Sequence, residues 1–184
     1  CRSDRSNILN IDFLDNPDKP NIQGEKILCQ GDDLQLTAPF FASAEYIWFT
    51  PSGTITTNTN KLIIEEVDLS AQGLYSVVVK QGNCRSEKSS AINISVKQRP
   101  QAPVFGQGLI ELCEDEDILG SVCFASGPDN AEKYQIIDIL TGIKIQEGLT
   151  DCFDLSFLNV GTNRTYSLIA IAENEGCLSE PSDT

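Results

Sequence analysis

Seven cysteines, no histidine and no Cys-x-x-Cys pair leave this chain one clear line of chemistry, the thiol–disulfide couple. Zinc sites built from thiolates draw on close Cys spacings or on histidine, so the pattern favours disulfides formed in an oxidising compartment. Other chemistries find little support. A nucleophile needs a positioned base, and neither a nucleophile motif nor a glycine-rich phosphate loop is present. Glu114-Asp115-Glu116-Asp117 is a run of carboxylates, and Asp12, Asp15 and Asp18 form a second group near a proline-bearing segment. Calcium takes several carboxylate oxygens, but these runs lack the glycine-punctuated ligand spacing of a calcium loop and read as solvated acidic loops. No two carboxylates are spaced as a glycosidase pair. The chain is therefore expected to be non-enzymatic, with no cofactor and no metal. Tyr46 and Trp48 could stack against a sugar ring, yet their alternation marks them as core residues of a strand. Phe40-Phe41, just ahead of that strand, is the candidate aromatic contact for a ligand. Asn93-Ile94-Ser95 and Asn163-Arg164-Thr165 match the glycosylation sequon.

The elements that hold these residues announce themselves by repetition. A shift of 83 positions lays Cys1-Arg2-Ser3-Asp4-Arg5-Ser6 on Cys84-Arg85-Ser86-Glu87-Lys88-Ser89, and eight of twenty aligned positions are identical. Leu9, Ile11 and Phe13 fall on Ile92, Ile94 and Val96, and Pro17 and Pro20 on Pro100 and Pro103. A weaker third copy opens at Gly176-Cys177-Leu178-Ser179-Glu180, 93 residues beyond Cys84. A fixed period of this size is the mark of an array of small domains. The expected division is residues 1–16 as the last strand of a preceding repeat, 17–99 as one sandwich and 100–184 as a second. Units of this size are marginal without staples, which gives the cysteines a purpose.

With 13 basic and 27 acidic residues the chain carries a net charge of -14, which repels phosphate backbones and argues against a nucleic-acid partner. No apolar run is long enough to span a bilayer as a helix, and no signal peptide is visible. The cysteines imply export, so a targeting signal is expected outside this stretch.

Period-2 alternation runs throughout, and no dozen residues carry a helical stripe. Strands are predicted at Leu9–Phe13, Leu34–Leu36, Tyr46–Phe49, Leu62–Ile64, Tyr75–Val79 and Ala91–Lys97, separated by turn residues at Gln30–Asp33, Pro51–Gly53 and Gln81–Asn83. Short strands at near-regular spacing predict an all-β chain of tandem seven-stranded β-sandwiches. Asn16–Pro20 and Arg99–Pro103 are predicted to be short, semi-rigid connectors.

Trp48 on the third strand and Asp68-Leu69-Ser70-Ala71-Gln72-Gly73-Leu74-Tyr75 before a later one resemble the immunoglobulin pattern of core tryptophan and tyrosine corner. Val77 stands two residues after the tyrosine, where that pattern has cysteine, so the disulfide through the sandwich is absent. Leu158 to Ala172, containing Tyr166, with Gly176, Ser179 and Pro181-Ser182 after it, resembles the latter half of a fibronectin type III module. Together, Leu28-Cys29-Gln30-Gly31, Tyr-x-Trp and Gly-x-Tyr before Gly-Asn-Cys are similar to the Ig-like repeats of very large secreted surface proteins of Bacteroidota, including gliding-motility adhesins. That resemblance implies an extracellular, cell-surface, non-enzymatic adhesin stalk or spacer. Its implied partners are neighbouring repeats of the same chain and a surface polysaccharide or protein ligand.

One cysteine precedes the second strand of each unit and one follows the sixth, which suggests Cys29 with Cys84 and Cys113 with Cys177; Cys123 and Cys152 fall on neighbouring strands and make a third pair. Cys1 is left over. One objection stands against the first two pairs: the second and sixth strands of such a sandwich run parallel, which sets those cysteines at opposite ends, too far apart for a disulfide. A crossed bond between Cys29 and Cys177 is the alternative. Two other functions also remain open. A carbohydrate-binding accessory module of a secreted glycanase would show an exposed row of aromatics, and a eukaryotic adhesion receptor would show occupied sequons and a core disulfide.

Overall fold

The computed structural model describes residues 7–11, 13–106, 121–127, 130–149, 152–154 and 167–182. The chain divides into two compact units, Cys1–Leu28 with Asp32–Ser95, and Cys29–Gly31 with Val96–Thr184. Among the described residues the regular structure is all strand apart from one 3-10 turn, Leu69–Ala71.

The first unit is built from β1 (Gln23–Gly24), β2 (Ile27–Cys29), β3 (Leu34–Thr37), β4 (Ala44–Thr50), β5 (Gly53–Thr57), β6 (Lys61–Ile64), β7 (Gly73–Gln81), β8 (Cys84–Arg85) and β9 (Ile92–Lys97). One sheet runs β1-β3-β6 and the other β2-β9-β7-β4-β5, with β8 folded back on β7. Alternation explains the packing. Along β4, Ala44, Tyr46 and Trp48 are buried while the residues between them are partly exposed, and β3 buries Leu34 and Leu36 in the same way. Trp48, Leu34, Leu36 and Val77 have no exposed surface at all, and Leu62, Val79 and Ile94 have almost none. This is a sandwich core fed by alternate residues of both sheets.

The second unit contains β10 (Val104–Phe105), β11 (Ser121–Ser126), β12 (Lys133–Asp138), β13 (Ile143–Gly148), β14 (Cys152–Asp154), β15 (Leu168–Asn174) and β16 (Cys177–Leu178). Its sheets run β10-β11-β14 and β13-β12-β15-β16. Tyr134 and Ile136 on β12 stand where Tyr46 and Trp48 stand on β4, since Ile136 pairs with Ala170 as Trp48 pairs with Val77. The core lacks tryptophan and has alanine at 170 and 172. Phe124 compensates, with ring centres 5.4 Å from Phe105, 4.9 Å from Tyr134 and 4.8 Å from Phe153.

The strand predicted over Leu9–Phe13 is not formed. None of the described residues before Gln23 lies in a strand, and Leu9, Ile11 and Phe13 are exposed by 81%, 66% and 95%. A strand needs an edge to bond to, and this segment meets none among the described residues. Cys1, Cys113, Tyr166, Asp12, the Glu114–Asp117 run and the sequon at Asn163 lie outside the described residues.

Trp48 is the chain's only tryptophan, so its fluorescence reports on the first unit alone. Leu36→Ala is expected to lower that unit's unfolding free energy by about 2–5 kcal/mol, read as an earlier tryptophan-detected midpoint in urea.

Candidate functional site: serine clamps and cysteine bridges

β7 is nine residues long, but β9 pairs with it only at Gly73, Leu74 and Tyr75. Beyond that point the same edge of β7 would leave the backbone groups of Val77 and Val79 unpaired in a buried setting, at a cost of about 1–3 kcal/mol each. Two serines satisfy them. The Ser89 N–H donates to the Val77 carbonyl at 2.9 Å, and the Val77 N–H donates to Ser89 Oγ at 2.9 Å. Ser86 does the same to Val79, at 2.9 Å in both directions. Its hydroxyl proton goes on to the Glu87 carbonyl at 2.8 Å. Each serine thus supplies both halves of a ladder rung from one residue, acceptor from the side chain and donor from the backbone.

The second unit repeats the device atom for atom. Ser179 grips Ala172 and Ser182 grips Ala170, through backbone bonds of 2.8 Å and hydroxyl bonds of 2.9 Å. Ser179 Oγ donates to the Glu180 carbonyl as Ser86 does to that of Glu87. The Cys-x-Ser-x-x-Ser sequence is therefore a clamp on the strand before it. A tight hairpin sets its register: Gln81 pairs with Cys84, and Asn174 with Cys177. Gly82 has φ 60°, while Glu175 and Gly176 have φ 48° and 86°, so the first hairpin places glycine at its first central position and the second takes positive φ at both. The cross-strand ion pair is kept with its signs exchanged, Lys80–Glu45 at 2.8 Å in one unit and Glu173–Lys133 at 2.9 Å in the other.

The opposite end of β7 is tied by the corner residues. The Tyr75 hydroxyl donates to the Ala71 carbonyl at 2.7 Å. Asp68 accepts the Ser70 N–H at 2.8 Å and caps the short 3-10 turn Leu69–Ala71. Gly73 between them has φ 136°, and a Cβ there would stand 2.8 Å from Pro51 Cγ, so the motif requires glycine on two counts. Trp48 is fully buried, with Nε1 donating to Thr57 Oγ1 at 3.0 Å, and the Tyr46 hydroxyl accepts the Phe41 N–H and donates to the Pro39 carbonyl. Both are core residues. Phe40 is 76% exposed.

The structure joins Cys29 to Cys177, 148 residues apart, and Cys123 to Cys152, which are register partners on β11 and β14. The expected bond between Cys29 and Cys84 is not made, nor that between Cys113 and Cys177. Cys84 is a free thiol. Strand length explains why Cys29 and Cys84 do not meet; Cys177 is taken by Cys29. The Cys29 turn lies toward the start of β7, since Ser95 beside Ile94 bonds to Lys26 and Ile94 pairs with Gly73. Cys84 follows the far end of β7, roughly 25 Å away for a strand of nine residues. A disulfide needs Cα atoms within about 7 Å; those of Cys29 and Cys177 are 5.6 Å apart. The Cys29–Cys177 link lies within the second unit, where the Gln30 N–H donates to the Lys97 carbonyl at 2.8 Å. There too Arg99 donates to the Gln30 and Leu178 carbonyls at 3.0 Å each, and Lys97 pairs with Glu175 at 2.7 Å. Among the described residues no three metal-ligating side chains cluster.

Titrating groups follow these contacts. Glu45 is held below its ordinary value by the hydrogen bond and charge of Lys80, Asp68 by the Ser70 hydroxyl and N–H, and Glu147 by hydrogen bonds from Lys144 and Lys133. Lys133 is raised by hydrogen bonds to Glu173 and Glu147, and burial raises Tyr75.

Both units have sandwich sheets and a buried Tyr-x-Trp or Tyr-x-Ile strand, and the first adds the tyrosine corner; this is the immunoglobulin and fibronectin type III architecture. No family model matches the sequence, and no curated protein does. Among solved structures, the chain is similar to the chicken CNTN1 FN1-FN3 domains, with TM-score 0.50 and 18% identity over 91% of this chain and 65% of that one. It is also similar to a set of titin domains, with TM-score 0.49 and 14% identity over 89% of this chain and 64% of that one. The human OSCAR ligand-binding domain aligns over 91% of this chain and 97% of its own, at 15% identity and TM-score 0.38. The chain spans just under two thirds of the CNTN1 and titin structures. The likeness is one of fold.

Ser89→Ala removes the acceptor for a buried N–H and is expected to cost about 1–3 kcal/mol, measured by tryptophan-detected urea unfolding; Lys88→Ala next to it is expected to cost less than 1. The carboxylates set the acid limit. Their folded pKa values lie below the ordinary 4.5 of Glu45 and Glu147 and 3.8 of Asp68. Their contribution is therefore complete above those values and is lost as pH falls through the folded ones. The melting temperature should hold from neutral pH down to about 5 and drop below about 4.

Proposed function

We propose that this chain is a non-enzymatic spacer from an exported cell-surface adhesin, of the type its repeats resemble in the large surface proteins of Bacteroidota. The observation that carries the reading is the Cys29–Cys177 bond, which encloses 148 residues of sequence separation in one covalent shortcut. Tension applied at the two ends of the chain passes from residue 29 to residue 177 through the sulfur atoms, and the sandwich strands between them are spared extension. The serine clamps support the same role, because each closes a strand edge within its own sandwich. Fibronectin type III and Ig-like sandwiches are commonly used for holding and binding, and a pair of disulfides suits an exterior location. The aromatic residues that a glycan platform would need are spent on the core: Tyr46, Trp48 and Tyr75 are buried, which favours spacer over carbohydrate-binding module.

Single-molecule pulling from the two termini tests the reading. The oxidised chain is expected to extend only by the residues outside the bond. Reduction should add about 500 Å of contour for the freed residues, at roughly 3.4 Å each. Equal contour lengths before and after reduction would remove the mechanical role. Saturable retention on a surface polysaccharide, abolished by Phe40→Ala, would replace it with carbohydrate binding.

A further inference from the structure

Cys84 occupies the same station as Cys177. Each faces the third residue before it across a tight hairpin, and each opens a clamp whose serines grip the preceding strand at identical separations of 7 and 12 residues. Cys177 is bonded to Cys29, whereas Cys84 is a thiol.

The surroundings of the two cysteines also correspond. Beside Cys177 runs the segment Lys97–Pro103, whose Lys97 carbonyl receives the Gln30 N–H next to Cys29. The 83-residue shift maps Lys97 onto Leu14, Pro100 onto Pro17 and Pro103 onto Pro20. The Leu14 carbonyl stands 3.6 Å from Cys84 Sγ, and all four prolines are buried. The receiving half of the Cys177 site is thus assembled at Cys84: hairpin, cysteine, carbonyl and paired prolines. Among the described residues no second cysteine-bearing turn of the Leu28-Cys29-Gln30-Gly31 kind bonds to Cys84. The same segment points to the source of that turn. Ile94 and Val96, buried by 99% and 97% in β9, have as counterparts Ile11 and Phe13, which lie largely exposed. Residues 8–14 carry the sequence of a last strand, and those of them that are described lie in no strand.

We propose that Cys84 forms a disulfide with the early cysteine of a further repeat of the same chain, the repeat whose last strand is supplied by residues 8–14. Cysteines in this array then bond forward, the early cysteine of each repeat to the late cysteine of the next. The inference rests on the spacer reading for its context. The step is a two-electron oxidation. Two thiols lose two protons and two electrons to a disulfide oxidant such as oxidised glutathione, which leaves as two thiols.

The test duplicates one period. Residues 7–89 are repeated in tandem, joining Ser89 to Asn7 in the native register, and the protein is refolded in a glutathione couple, alkylated without reduction and mapped by mass spectrometry. The expected product links Cys29 of the first copy to Cys84 of the second, alongside the Cys29–Cys177 bond of the second copy. Cys29→Ser in the first copy should return the second Cys84 to full alkylation and leave the Cys29–Cys177 bond in place. Alkylation of both Cys84 thiols in a folded duplicate with Cys29–Cys177 intact overturns the proposal. Misfolding of the added copy is read separately. A correctly folded duplicate is expected to keep the Cys29–Cys177 bond of the second copy and to double the tryptophan unfolding amplitude, because each copy carries one Trp48. With both signs present, alkylation of the second-copy Cys84 counts against the pairing. The pulling experiment reads the Cys29–Cys177 bond of the single chain and is indifferent to Cys84, so failure of the spacer reading and failure of this pairing are separately visible.

Discussion

A buried backbone group must find a partner, and that constraint organises both units. β7 and β15 run through the middle of their sheets, yet on one side the neighbouring strand does not follow β7 to its end. That stretch of edge is buried, so the chain turns back in a two-residue hairpin and supplies the missing hydrogen bonds from serine backbone and hydroxyl groups. From this follow the position of the hairpin, the identity of residues 86, 89, 179 and 182, and the placing of Cys84 and Cys177 at the hairpin tips. The disulfide chemistry is a consequence of where the clamp puts the thiols.

The core solves a different problem twice with different residues. The first unit fills its centre with Trp48 against Val77 and Val79. The second uses Ile136 against Ala170 and Ala172 and brings in a cluster of rings around Phe124. Volume is traded across the sheet while the pairing register and the clamp are kept, as expected where shape is conserved more closely than side-chain identity. The exchange of signs in the Lys80–Glu45 and Glu173–Lys133 pairs is the same kind of trade at the surface.

Much of the fold was legible from alternation and turn chemistry. The strands at Leu34–Leu36, Tyr46–Phe49, Leu62–Ile64, Tyr75–Val79 and Ile92–Lys97 carry their pattern openly, and the Gly73-x-Tyr75 corner is local in sequence. Leu9–Phe13 has the same alternation and forms no strand, because pattern specifies a face but cannot furnish an edge to pair with. The serines of Cys-x-Ser-x-x-Ser were visible as repeated letters; their role was not, since hydroxyl acceptors for a strand 7 to 12 residues back are a matter of register. The weak first half of the second unit hid its Tyr134-x-Ile136 strand because isoleucine stands in for tryptophan. Cysteine connectivity was the least readable feature. Symmetry between repeats favoured Cys29 with Cys84 and Cys113 with Cys177; the length of β7 forbids the first, and the crossed Cys29–Cys177 bond, the alternative, is the one made, while Cys123–Cys152 was legible from neighbouring strands.

The clamp also bears on how such a chain can change over time. Everything needed to finish a sandwich edge lies within a short stretch, from the gripped strand residues through the hairpin to the second serine, with the same internal spacing in both units. Differences in overall repeat length, 83 residues against 93 between successive cysteines, are therefore absorbed elsewhere, in loops that the stretch does not touch. A segment with fixed internal geometry and indifferent surroundings is a natural seam for recombination. Units of unlike length and unlike core can be exchanged at it, each arriving with its edge already closed.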